Sequence, residues 1–371
     1  MIKKVGILTA GGDCPGLNAV IRGIVKTAEY AGVETYGFVE GYKGLYNNNY
    51  IWLDSSNTSG IIAKGGTILG SNNKTNLFAV PVKDENGNVT IEDKSYEVVE
   101  RLKRDGFDCL IVIGGDGSLK SARDFTRRGL NVIGVPKTID NDVPYTDVTF
   151  GFHTAVNVAT EAIDRIRTTA EAHRRILVLE VMGRYAGWIA LAAGIAGGAD
   201  TVLIPEIPYK FESIVNKINT RKQKGKNYSI IVVAEGAKPL GGEASVKSVV
   251  SDSPDSIRLG GAGEFVASEI ERLIGQETRS TSLGYIQRGG DTIPYDRILS
   301  SEYGSMAMQM ALEEKFNNMV TMLNGRITYV PLDEVAGKDT EIGASSSNIK
   351  TVDLDGDMIK TARRIGICLG D

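Results

Sequence analysis

Cysteine is scarce in this chain: Cys14, Cys109 and Cys368 are the three in 371 residues, and none forms a Cys-x-x-Cys pair. An odd count without paired spacing argues against a disulfide framework and fits a reducing, cytoplasmic setting. Histidine is scarcer, with His153 and His173 alone. That leaves little scope for histidine-based catalysis or a histidine-ligated metal centre. Long hydrophobic runs are missing. The most apolar stretch, GWIALAAGIAGGADTVLIP, is broken by Gly197, Gly198 and Asp200. It reads as helix, turn and strand, so no membrane partner is expected. The start, MIKKVGILTAGGDCPG, reaches Gly11-Gly12-Asp13 too soon for a signal-peptide core. No basic run exceeds a few residues and the net charge is −4, so no nucleic-acid partner is expected.

What is present is ample core material. Hydrophobic residues make up 42% of the chain, enough for about two domains. Short apolar runs alternate with helix-spaced segments. KKVGILTA reads as a strand, LNAVIRGIVKTAEYAG as a helix and VETYGFV as a strand. KSYEVVERLKRDG, FDCLIVI, SLKSARDFTRRG and LNVIGVP continue the pattern, and so does the chain from 156 to 235. Such alternation indicates parallel sheets covered on both faces. Two stretches break it. VPVKDENGNVTIED carries Asn86-Gly87 and reads as a surface hairpin, and GAKPLGGEASVKSVVSDSPDS reads as an irregular insertion. The tail after Gly337 is polar.

In open parallel sheets, ligands bind outside the carboxyl ends of the strands. Three turns fall at such ends. TAGGDCPGLN holds Gly11 and Gly12 just before a helix, a place where backbone N–H groups can approach an anion. IGGDGSL, with Gly115, Gly117 and Ser118, adds Asp116, a carboxylate suited to a hard cation such as Mg2+. GVPKTIDNDVPYTD crowds Lys137, Thr138, Asp140 and Asp142 just past a strand. Read blandly, this last stretch is a solvated turn, and any one Gly-rich turn can be simple tight packing. Together, two anion cradles, a metal-capable acid and a further acid fit phosphoryl transfer, in which Asp140 would accept the attacking hydroxyl's proton. The other half supplies Arg175, Arg184, Arg279 and Arg288 for phosphate, and Glu235 for sugar hydroxyls.

In this order, GILTAGGDCPGLNAVIRG, IGGDGS, PKTIDND, GFHTA, EVMGRYAGW and LGYIQRGG resemble the 6-phosphofructokinase family from Val5 to about Val335. The GGDG turn alone would also suit lipid or NAD kinases, but those lack the later motifs. The resemblance implies an α/β fold of two three-layer domains with mainly parallel sheets, and an active site in the cleft between them at the strands' carboxyl ends. A larger donor domain for ATP and Mg2+ would comprise 1–151 and 287–337. A smaller sugar-phosphate domain would comprise 152–286 and 338–371. The implied reaction is Mg2+-dependent transfer of the ATP γ-phosphoryl to the 1-hydroxyl of fructose 6-phosphate.

Residue by residue, the resemblance makes Asp140 the general base and Asp116 the metal-associated acid. Thr138, Arg184 and the Gly12 backbone would stabilise the transferring phosphoryl. Asp142, Arg175, Met182, Gly183, Glu235, Arg279, Tyr285 and Arg288 match fructose-phosphate contacts. Gly11, Tyr42, Lys74, Gly115, Gly117, Ser118 and Lys137 match the donor side. Arg175 and Arg279 would reach in from a neighbouring subunit, implying a homo-oligomer, a tetramer with a dimer as alternative.

Departures from the pattern touch regulation and the donor. Tyr285 stands where histidine is common, and Lys74 where an arginine bridges phosphates. Arg22, Lys26, Arg167, Asp200, Lys224 and Lys226 match an effector site in which Ser55 replaces an arginine. Gly117 leaves room for a nucleotide's α-phosphate, whereas pyrophosphate-using relatives typically carry Asp there. Lys137 is common to pyrophosphate users and to some ATP users. Lys120 and Ser121 depart from the small residues usual after this turn. The expectation is ATP as donor, with a pyrophosphate-dependent enzyme as the alternative. A catalytically silent subunit would require losing Asp116, Asp140 or Arg184, and all three are present.

Overall fold

The computed structural model describes residues 2–83, 88–249, 257–337 and 348–371. The chain divides into two compact units. One comprises Met1–Ile139, Val143–Gly151 and Arg288–Ile349, and the other Asp140–Asp142, Phe152–Gln287 and Lys350–Asp371. The expected donor segment 1–151 is therefore interrupted, with Asp140–Asp142 grouped in the second unit.

The first unit is built on a seven-stranded sheet. Its order is Arg326–Pro331, Asn318–Leu323, Val132–Pro136, Cys109–Gly114, Lys4–Thr9, Glu34–Phe38 and Tyr50–Leu53. The five inner strands run parallel and the two edge strands antiparallel. The central strands KVGILT and CLIVIG are almost wholly buried, which is why they read as continuous apolar runs instead of alternating ones. The helix Asp116–Arg127 lays Leu119, Ala122 and Phe125 into a core shared with Tyr42, Val98 and Leu102. Helices Leu17–Tyr30 and Pro294–Leu312 meet backbone to backbone. A Cβ on Gly23 would lie 2.8 Å from the Ser301 carbonyl oxygen, and one on Gly304 2.3 Å from that of Val20. Neither position has room for a larger residue.

The second unit has a four-stranded, all-parallel sheet ordered Thr278–Ser282, Ile176–Val181, Ser229–Ala234 and Thr201–Leu203. Ile214, Ile218, Val266 and Ile270, from helices Phe211–Gln223 and Ala262–Ile274, pack on Ile176, Val178, Ile231 and Val233. The tail contributes the helix Asp357–Arg364 and a bridge from Cys368 to Thr201.

The expected hairpin forms between Val80–Lys83 and Val89–Glu92, and its Asn86-Gly87 turn lies outside the described residues. The stretch read as irregular contains Val246–Val249 paired antiparallel with Ile257–Leu259, and 250–256 lie outside the described residues. Among the described residues no helix is long and apolar enough to cross a membrane.

Candidate active site

Strands Val132–Pro136, Cys109–Gly114 and Lys4–Thr9 are parallel neighbours, so their carboxyl ends share one edge of the sheet. The three turns singled out in the sequence leave from those ends and converge. A Cβ on Gly11 (φ +80) would sit 3.3 Å from Lys137 Nζ and 3.5 Å from Ser118 Oγ. A Cβ on Gly12 would sit 2.1 Å from an Arg288 guanidinium nitrogen, which donates to the Asp13 carbonyl at 3.2 Å. The missing side chains thus let two cations close on one backbone turn. That arrangement suits a phosphate, since cationic side chains and a glycine turn ahead of a helix reinforce one another. A second loop braces the turn. Ser71 Oγ donates to the Gly11 carbonyl at 2.5 Å, and the Gly11 N–H donates to Asn72 O at 3.4 Å. Asn72 Oδ1 accepts the backbone N–H of Lys74 at 2.9 Å, and Lys74 is exposed on this loop.

Asp116 opens the helix that follows Gly115. Its Oδ2 lies 3.3 Å from Lys120 Nζ, and its Oδ1 is buried with no hydrogen-bond partner. Burial pushes this carboxyl above its ordinary 3.8, while Lys120 pulls it back down. A buried carboxylate oxygen without a partner carries a desolvation cost that a cation would offset. Asp116 therefore fits a role in holding Mg2+, which ordinarily takes one or two carboxylates together with substrate phosphates. Beside it, a Cβ on Gly117 would meet nothing within 4 Å. Tyr42 is 5% exposed, stacks on Phe125 with centroids 6.0 Å apart, and donates to the Ser118 carbonyl at 2.9 Å. Its hydroxyl supports the Ser118 turn from behind. Thr138 accepts Thr149 Oγ1 on its carbonyl at 2.8 Å, which fixes the backbone after Lys137. Cys14 is fully buried, and burial pushes its thiol well up, so it packs as an inert filler.

In the second unit, Met182, Gly183 and Arg184 follow one strand and Glu235 follows its parallel neighbour. Gly183 takes φ +130, and the Gly236 N–H donates to its carbonyl at 3.2 Å. A Cβ on Gly236 would lie 2.0 Å from the Arg184 carbonyl oxygen, so the two turns touch. The Met182 N–H donates to Oε1 of the fully buried Gln287 at 3.3 Å, tying this turn to the Gly284–Arg288 turn. There Tyr285 is 80% exposed and open to a ligand.

Arg175 and Arg279 lie elsewhere. Arg175 precedes the Ile176–Val181 strand and Arg279 sits at the start of the adjacent parallel one, so both are at the amino edge of the sheet. Met182 and Arg184 are at the opposite edge, about 20 Å away at roughly 3.3 Å per residue. Of the effector-type residues, Ser55 Oγ donates to Glu29 and accepts from Lys26 Nζ. In the other unit, Asp200 is paired with Arg221 at 2.6 Å.

The family model described as Phosphofructokinase matches residues 4–311. The chain belongs to the phosphofructokinase family. It is 55% identical to ATP-dependent 6-phosphofructokinase 2 of Clostridium perfringens, over all of this chain and 99% of that protein. It is 46% identical to ATP-dependent 6-phosphofructokinase 1 of Synechocystis, with coverage of 100% and 99%. Among solved structures, phosphofructokinase from Saccharomyces cerevisiae aligns with a TM-score of 0.75 at 30% identity. That alignment covers 90% of this chain and 45% of the yeast chain.

Several supporting residues escaped the sequence reading. Gln287 accepts from Met182, Glu277 accepts from Arg175, Glu206 accepts from Val352 and Lys350 donates to Asn141, each across at least 102 residues of sequence, and nothing local marks them. Ser71 and Asn72 were legible in principle, since SNN follows a Gly-rich turn in GGTILGSNN.

Proposed function

We propose that this chain is an ATP-dependent 6-phosphofructokinase. It moves the γ-phosphoryl of ATP to the 1-hydroxyl of fructose 6-phosphate, giving fructose 1,6-bisphosphate and ADP. The observation that carries this reading is the meeting of Gly11, Ser118 and Lys137 at three adjacent strand ends. Full-length identity to relatives named as ATP-dependent 6-phosphofructokinases supports it.

In this reading the first unit holds the donor. Backbone groups at Gly11, Gly12, Gly115 and Gly117 line the phosphates, with Ser118, Lys74 and Lys137 beside them and Tyr42 buttressing the turn. Asp116 would hold Mg2+, which when bound neutralises charge on the donor phosphates. Asp140 takes the proton of the 1-hydroxyl. Thr138, Arg184 and the Gly12 N–H stabilise the phosphoryl in transit. Asp142, Met182, Gly183, Glu235, Tyr285 and Arg288 bind the sugar phosphate. Arg175 and Arg279, about 20 Å along the strand from Met182, bind the 6-phosphate of a neighbouring copy's substrate. The working form is then a cytoplasmic homo-oligomer, a tetramer with a dimer as alternative.

The test is kcat/KM with Mg-ATP and with Mg-pyrophosphate at fixed fructose 6-phosphate. ATP is expected to be preferred, and a pyrophosphate preference beyond about tenfold, some 1.4 kcal/mol, would overturn the donor assignment. In the same assay Asp140→Asn is expected to lower kcat by about 10²–10⁴-fold, the usual contribution of a positioned base, and a loss under tenfold removes Asp140 from that role.

A further inference from the structure

The segment carrying Lys350 lies beyond residues 4–311, the span matched by the family model. It is nonetheless tied to the acids of the PKTIDND stretch. The Lys350 N–H donates to the Asp142 carbonyl at 2.8 Å. Lys350 Nζ donates to Asn141 Oδ1 at 3.1 Å. Asn141 is 5% exposed and has φ 52, a left-handed conformation flanked on each side by an acid. Asparagine enters that region more readily than most residues, and here the Lys350 contacts fix it from the side chain and from the next carbonyl. The other end of the strap is fixed as well. Trp188 Nε1 donates to the Lys350 carbonyl at 3.1 Å, and the ammonium lies 5.5 Å from the Trp188 ring. Two residues on, the Val352 N–H donates to Glu206 Oε1 at 2.8 Å, and the same carboxylate accepts the Gly187 N–H at 3.0 Å. Glu206 thus joins the strap to the turn that carries Arg184.

We infer that Lys350 is a positioning residue for phosphoryl transfer. Through Asn141 and the Asp142 carbonyl it fixes the backbone between Asp140 and Asp142, and through Trp188 and Glu206 it sets that backbone against the Arg184 turn. A peripheral lysine on a mere surface tail would make one exposed contact. This one donates from both its backbone and its side chain to consecutive residues of the acid loop. A misplacement of the order of 1 Å at reacting groups can cost about a hundredfold in rate, so the effect should fall on turnover.

The inference rests on the phosphofructokinase reading, and the wild-type assay separates the two: an inactive wild type fails that reading, whereas an active wild type indifferent to Lys350 fails this one. Lys350→Met keeps the backbone contacts and removes the ammonium. It is expected to lower kcat by about tenfold to a hundredfold, with KM for both substrates within about threefold, and Lys350→Arg should recover most of the loss. Asn141→Gly, which tolerates positive φ, should produce a similar fall, and the double variant should be no worse than either single. A kcat for Lys350→Met within twofold of wild type overturns the inference. So does a loss carried by KM, or strictly multiplicative effects of the two substitutions. If Lys350→Met fails to fold, Asn141→Gly alone decides by the same kcat-against-KM split.

Discussion

Arg175 and Arg279 share one carboxylate. Arg175 Nε lies 2.6 Å from Glu277 Oε2, and Arg279 reaches Oε1 of the same residue at 3.0 Å. Two guanidiniums side by side repel, and the carboxylate between them holds both in place. Glu277→Gln removes that charge and breaks the Arg175 ion pair, while Arg279 keeps its pair with Glu271 at 3.1 Å. KM for fructose 6-phosphate is expected to rise by about fivefold, with kcat within twofold. The Arg175 hydrogen bond holds the Glu277 carboxyl below its ordinary 4.5. With the folded value depressed, the stabilising contribution is present above the unfolded value and lost as pH falls through the folded one. The Tm gap between wild type and Glu277→Gln should therefore be constant near neutral pH and shrink as the pH falls below the ordinary 4.5. A gap that persists in acid would show that Glu277 acts through packing.

The separation of those arginines from the Arg184 turn makes a second expectation concrete. If each copy lends them to a neighbour, Arg279→Ala and Asp140→Asn damage different parts of a shared site. Mixed oligomers then contain some sites with neither defect. Co-refolded mixtures of the two inactive variants should regain measurable activity, up to about a quarter of the wild-type level for random pairing of two contributing chains. Mixtures that exchange subunits, as mass spectrometry would show, and stay inactive would place both residues in one chain's site.

The convergent turns were legible because their chemistry is local. Gly11-Gly12, Asp116 and Lys137 each directly follow a buried apolar strand, and a parallel sheet brings such ends to one edge. Long-range partners were not. Thr278–Ser282 is TRSTS, without an apolar run, and forms a strand because it sits on the sheet's edge with Ser282 Oγ donating to Glu180 Oε1 at 3.0 Å. Only its register, Thr278 opposite Ile176, brings Arg175 and Arg279 together. Lys350 lies 209 residues from Asn141, and no spacing rule links them.

Gly117 offers a sharp test of donor choice. A Cβ there meets nothing within 4 Å, so Gly117→Asp should fold normally and project a carboxylate into open space beside Asp116. Like charge against the donor's inner phosphate should then act on binding. Mg-ATP kcat/KM is expected to fall by about a hundredfold or more, roughly 3 kcal/mol, with Tm changed little. Retention of ATP activity would mean that the donor does not approach this face of the turn.

Lys120 sets the last expectation. It is 9% exposed, and its ammonium lies 3.3 Å from Asp116 Oδ2, the oxygen beside the one that lacks a partner. A divalent cation drawn to Asp116 must compete with that ammonium for the carboxylate. Lys120→Met keeps the stem, which packs on the helix, and removes the competitor. Mn2+ binding to the nucleotide-free protein, followed by electron paramagnetic resonance, should tighten by about fivefold, the roughly 1 kcal/mol expected of one ion pair. If Lys120 instead serves the donor phosphates directly, Mn2+ affinity stays put and KM for Mg-ATP rises. The two outcomes separate a lysine that restrains the acid from one that binds the substrate.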